Sequence, residues 1–263
     1  MFFQEIKRCF SRISFKIALL IGIVACILSS ISMKTEPYSI QYYIKAYETS
    51  AYDNFIFFNL NSISNILILI FPILSVLSYS DSYLEDIHSG LIKYIYTRYS
   101  KNNYLMCKFV ANFIAGGLAF VIPLIINFVI LILSYPSLPT HSILGKQTIL
   151  CGGLFASLFY THPIIYIGMW LVIYFMYAGA FASIALGIST IIKNKFVVLF
   201  MPFLLCNVIG IVLDVMNIYF YSPISFLYLS IKQDIRIIIF EFVGIMIVSI
   251  FMFYFGGTKN EVY

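Results

Sequence analysis

Charge is what this sequence has least of. Asp, Glu, Lys and Arg make up 10% of its 263 residues against 62% hydrophobic ones, too little polar surface to cover a water-soluble globule of that length. The basic residues are spread between apolar runs rather than gathered in a patch, so the net charge of +5 does not point to a nucleic-acid partner. Histidine is scarce too, and His88, His141 and His162 form no His-Glu-x-x-His pair or other ligand spacing. Cys9, Cys26, Cys107, Cys151 and Cys206 are odd in number and widely spaced, which suits small buried hydrophobes rather than a disulfide framework or a metal site. There is no Gly-x-Ser-x-Gly elbow. Gly145-Lys146-Gln147-Thr148 falls short of a phosphate loop, because Thr140 stands where the first glycine belongs and Gln147 follows the lysine. These absences argue against catalysis, a bound metal or cofactor, and a nucleotide site within this chain.

Long apolar runs are what the sequence has instead. A spanning helix needs about 20 mostly apolar residues, and six segments meet that need: Phe15–Met33, Ile63–Tyr79, Tyr104–Leu133, Pro163–Ile192, Phe196–Leu213 and Ile235–Phe255. The expected fold is an all-α polytopic membrane protein, residues 1–263 forming a single transmembrane domain. Eleven of the sixteen Lys and Arg fall on one side of that topology, at positions 7, 8, 12, 16, 93, 98, 101, 108, 193, 195 and 259. The positive-inside rule then puts both termini and Ser80–Lys108 in the cytoplasm.

Residues 1–14 read as an interfacial helix, not a cleaved leader, because the basic stretch is long and no Ala-x-Ala site follows. Phe2, Phe3, Ile6, Phe10 and Ile13 share one side at helical spacing, and Gln4, Lys7, Arg8, Ser11 and Arg12 share the other. Such a helix lies on membrane lipid of the inner leaflet.

Ser80–Lys108 is the longest charge-dense stretch. Ser82-Tyr83-Leu84-Glu85 fits a capping box, which predicts a helix start there. Leu84, Ile87, Leu91, Tyr94 and Ile95 form an apolar stripe, with Glu85, Asp86, His88, Ser89 and Lys93 around the remainder. Gly90 costs about 1 kcal/mol relative to Ala inside a helix, so a bend or a close backbone approach is expected at that point. A solvated or membrane-lying loop helix and a docking element for a partner both satisfy this pattern.

The order Glu85, Asp86, Gly90, Leu91, Ile92, Tyr94, Ile95, then Thr97, Arg98, Ser100, Tyr104 and Lys108 resembles the segment between the second and third helices of ABC-2 type permeases, the membrane subunits of ATP-binding-cassette exporters. The family often has proline near the Thr-Arg step, where this chain has Tyr96-Thr97-Arg98-Tyr99. The resemblance implies that residues 80–104 are a cytoplasmic coupling segment, with Glu85, Asp86, His88, Ser89, Gly90, Lys93 and Arg98 meeting a separate ATPase subunit. It also implies a second permease copy or a homologous permease, ATP and Mg²⁺ held by the partner ATPase, outward transport, and a bacterial plasma membrane. A stand-alone secondary transporter or channel, and a membrane assembly factor that transports nothing, are the other classes open to such a chain.

Three further features are candidates. Gly179, Ser183 and Gly187 make a small-residue face on the fourth span, suited to helix packing within the chain or across a dimer seam. Glu241, about two turns into the sixth span, is either a proton relay or an interface residue, and Asp214 marks the end of the fifth. Tyr219–Leu229, around Ser222-Pro223, reads as a re-entrant dip or as an interfacial aromatic belt. Tyr and Phe, at 21 and 26, supply apolar surface for a peptide, lipid or drug without naming one.

Overall fold

A computed structural model describes residues 1–32, 50–58, 61–137, 153–218, 221–228 and 234–259, and among these there is no strand. Helix α1 (Phe2–Ser11) leads into α2 (Ile13–Ser32), and α3 (Ser62–Leu77) is followed by the short α4 (Ser82–His88) and α5 (Leu91–Tyr96). Then come α6 (Lys101–Ser134), the short α7 (Ala156–Thr161), α8 (Pro163–Ile188), α9 (Lys195–Val215), a 3₁₀ turn at Ser225–Leu227 and α10 (Ile235–Lys259). Six helices are long and apolar enough to cross a membrane, so this is a polytopic all-α membrane protein. The second of these runs through a turn at residues 78–81 into α4, further than the expected Ile63–Tyr79.

The central helix is α8, which packs on α3, α6, α9 and α10, while α9 and α10 are the least buried spans. Its two halves differ in chemistry. Toward its C-terminal end most of the buried residues are small, Ala178, Gly179, Ala180, Ala182, Ser183, Ala185 and Gly187, with Phe181, Leu186 and Ile188 between them. Gly116 and Asn112 of α6 meet the small residues, while a second small face of α6, Ala111, Ala115 and Ala119, packs with Cys9, Phe15 and Ala18 of α1 and α2; without a strong hydrophobic drive in lipid such small residues let backbones pack closely. A Cβ on Gly116 would overlap Ala182, and one on Gly179 would sit 2.7 Å from the Phe113 ring.

Toward the N-terminal end of α8 the buried residues are large, Tyr166, Trp170, Tyr174 and Tyr177. The space they hold open is filled by a segment between α2 and α3, in which residues 50–58 are all buried. Phe57 meets Tyr174 edge-on at 5.2 Å, and Phe58 meets Phe159 at 5.3 Å. Asn61 caps α3 by accepting from Ser64 N at 2.7 Å, and Ser64 Oγ donates to Ile56 O at 2.5 Å, which ties the filling segment to the helix start. Phe226 of the 3₁₀ turn inserts alongside, stacked 3.9 Å from Tyr177. For this part of Tyr219–Leu229 the belt reading is therefore replaced by burial in the bundle, with Tyr221 exposed and Tyr219, Phe220 and Leu229 outside the described residues.

Candidate coupling site

The end of the bundle that carries α1, α4 and α5 holds a cluster of ionised side chains. Lys108, on the small-residue face of α6, is fully buried, and its Nζ lies 2.5 Å from Asp86 Oδ2 and 3.1 Å from Glu5 Oε2. Tyr104, one turn earlier on α6, donates to Asp86 Oδ2 at 2.7 Å, and Tyr79 donates to Glu5 Oε2 at 2.7 Å. From α1, Arg8 reaches Asp86 Oδ1 at 2.6 Å. Arg12 binds Asp81 Oδ1 at 2.8 Å and also pairs with Glu85. Four carboxylates thus face three cations, and helices α1, α4 and α6 meet through opposite charges.

Burial alone would lower the basicity of the Arg8 guanidinium, but the bonded Asp86 carboxylate outweighs it, and Arg8 is held above its ordinary value and stays charged. Burial pushes the Cys9 thiol up to about 12, against the pull of Arg12 and Lys108, so Cys9 is a neutral packing group. The expected two-sided character of α1 is present, with Phe3 and Phe10 exposed, and Ile13, the last of the expected apolar side, is exposed at the start of α2. Part of its polar side turns to the acids of α4 rather than to water.

The expected single helix Ser82–Tyr96 is two. Gly90 has φ +70°, a left-handed conformation that L side chains avoid, and it ends α4 and starts α5. A Cβ there would meet nothing within 4 Å, so this glycine serves a bend and not a close approach within the chain. The capping box is not formed: Asp81 is the residue before α4, and Ser82 Oγ is buried without a hydrogen-bond partner among the described residues. The chain arrives from α3 already turning, so Glu85 N bonds Asp81 O at 3.1 Å and Glu85 is left to reach Arg12.

The bend also breaks the expected apolar stripe. Leu84 packs with Val76, Ala185, Ile188 and Val198, while Ile92, which lies off that stripe, packs with Tyr83, Tyr104, Leu105, Leu186 and Phe253. Leu91 and Tyr94 instead point outward, Tyr94 with 77% of its surface exposed. Of the sequence candidates, His88, Ser89, Lys93 and Arg98 are exposed around them, and Glu85 and Gly90 are half-exposed. Asp86 is the correction: expected among the exposed acids that meet a partner, it is fully buried and holds the fold together. No local signal marked it, although Lys108 falls at helical spacing with buried Tyr104, Ala111, Asn112 and Ala115.

Gly179, Ser183 and Gly187 are used within the chain. Gly179 faces Phe113 of α6, Ser183 Oγ bonds Gly179 O at 2.9 Å, and Gly187 faces Met252 and Ser249 of α10. A polar node fixes the same region: Ser80 Oγ and Asn112 Nδ2 both donate to Ala182 O, at 3.0 and 2.8 Å. Glu241 sits beside Tyr177, whose hydroxyl donates to Ile238 O at 2.6 Å, and neither Glu241 oxygen finds a partner among the described residues. Gly145–Thr148, His141 and Cys151 lie outside the described residues.

No family model, curated protein or solved structure matches this chain.

Proposed function

We propose that this chain is the permease subunit of an ATP-binding-cassette exporter, with both termini in the cytoplasm of a bacterial cell, and that α4–α5 is where a separate ATPase subunit docks. One observation carries this reading: a short bent helix pair is anchored to six helices yet leaves two apolar side chains, Leu91 and Tyr94, unburied at its tip. A loop that only connects spans has no need of such anchoring. A lever does. Tyr94 and Leu91 form the apolar centre of the contact, and Glu85, His88, Ser89, Lys93 and Arg98 form its polar rim, the arrangement found where a few side chains carry most of the binding energy.

Force applied at the tip travels by two routes. Through the ion pairs it reaches α1 and α6, and through Tyr83, Leu84 and Ile92 it reaches the ends of α8, α9 and α10. ATP and Mg²⁺ belong to the ATPase. A second permease copy, or a homologous one, completes the path, and the cargo is a hydrophobic or amphipathic peptide, lipid or drug moved outward.

The test is a pull-down of the tagged chain in mild detergent, with the co-purifying subunits identified and assayed for ATPase activity. Tyr94→Ala should insert normally, since the side chain touches little of its own fold, but should retain less than a tenth of the ATPase and of the ATP-dependent transport, a loss of at least about 1.4 kcal/mol. Full retention of both would remove the coupling reading. Transport by the purified chain alone, driven by a pH gradient and lost in Glu241→Gln, would move the assignment to a secondary transporter working through that unpartnered carboxyl.

A further inference from the structure

At the end of the bundle opposite α1 and α4 there is a cavity of about 1050 Å³, at the upper end of the range for small-molecule sites. Five parts of the chain line it: the first turns of α3, the last three turns of α9, residues 221–228, the first turn of α10 and Leu154 ahead of α7. Gly210 lets α9 approach the third of these, since a Cβ there would stand 3.2 Å from Ser222 Oγ. The walls are apolar, with Ile66, Leu69, Ile211, Ile224 and Ile238 among them.

Among the described residues that line the cavity, charge is of one sign. Asp214, at the end of α9, and Asp234, just before α10, both line it, and no Lys, Arg or His does so among the described residues. Asp234 is held in place because its Oδ1 accepts from Arg236 N at 2.9 Å. Asp214 lies near enough to Tyr228 for its charge to act on that phenol. Both carboxylates are exposed at the rim of an open apolar groove, where they attract cations and repel anions, and an uncharged apolar ligand that covered them would remove their water with no compensation. Tyr221 and Tyr228 add ring faces that a cation favours.

We propose that this cavity binds an amphipathic organic cation, its apolar body against the isoleucine walls and its positive charge between Asp214 and Asp234. Taken as the cargo site, it refines the exporter reading and rests on it. Binding itself requires no ATPase, so it is measured on this chain alone, and the two readings fail separately.

The probe pair is tetraphenylphosphonium and tetraphenylborate, similar in size and apolarity and opposite in charge. Equilibrium dialysis against the purified chain in uncharged phosphatidylcholine nanodiscs, with empty nanodiscs subtracted, should show the cation binding at least tenfold tighter than the anion. Asp214→Asn with Asp234→Asn should cut cation affinity at least tenfold and leave the anion unchanged or tighter. Asp214→Asn alone, which spares the α10 start, should give part of that loss should the double variant fail to insert. Gly210→Leu, which fills the chamber, should abolish cation binding. Equal affinity for the two probes, or undiminished cation binding in both Asp214→Asn and Gly210→Leu, would overturn the proposal.

Discussion

Asp86 and Lys108 show how one residue's surroundings redefine its role. Both are fully buried, and their Coulombic gain stands against a desolvation cost of several kcal/mol per ion. Such a pair is costly to break and much less costly to replace whole. Lys108→Met leaves Asp86 with Arg8 and the Tyr104 hydroxyl and should lower stability by about 3–5 kcal/mol, whereas Lys108→Met with Asp86→Leu should recover a good part of it. Unfolding midpoints in mild detergent measure both, and equal losses in the single and double variants would mean that the pair is not a coupled unit. Reversing the charge at Asp86 would crowd three cations, Arg8, Lys108 and the new one, into a buried site. It is therefore a variant that damages folding and a poor probe of docking.

At the scale of the element, Gly90 decides which residues of α4–α5 are seen from outside. Because φ is +70°, replacement by an L side chain costs about 1–2 kcal/mol locally even though no atom stands in the way. Gly90→Asn, which tolerates the left-handed region better, should keep most of the bend, while Gly90→Val should favour a continuous helix that rotates Leu91 and Tyr94 relative to Leu84. The measurement is ATPase capture normalised to inserted protein, with Gly90→Asn expected near wild type and Gly90→Val reduced at least fivefold. Equal capture in the two variants would mean that the bend is not part of the docking geometry. The small-residue faces of α6 and α8 act at the same scale. They bring the helices close at the α4 end, and the aromatic residues that precede them on α8 leave room for residues 50–58 at the other.

For the whole molecule, sidedness is the property on which both proposals depend. The charge split predicts α4–α5 inside and the cavity outside. In a background lacking the native cysteines, Ser89→Cys should label with an impermeant maleimide only after the membrane is opened, and Asn217→Cys, at the end of α9 and exposed, should label in intact cells. Ser89→Cys labelling in intact cells would invert the protein and place the cavity on the cytoplasmic side. The least buried spans, α9 and α10, present Phe200, Val208, Ile239 and Val248 outward, a surface suited to lipid or to a second permease.

Local regularities were legible in the amino-acid order. Spans of about 20 mostly apolar residues, the amphipathic α1, the glycine bend and the small face of α8 each follow from composition or period within one segment, because hydrophobic transfer and helix geometry act over neighbouring residues. What had to wait for the tertiary structure were the events that join distant segments. Glu5, Arg8, Asp86 and Lys108 come from three helices, and nothing in the spacing of any one of them says that they meet. The capping box at Ser82 was overridden because the chain enters α4 from α3 without starting afresh, and Tyr94 was freed because one left-handed residue turned the stripe. Residues 50–58 lie between the first two expected spans, yet they are buried, since the aromatic half of α8 leaves a volume that another segment fills. Sequence period fixes which face of a helix is apolar, and packing fixes what that face meets.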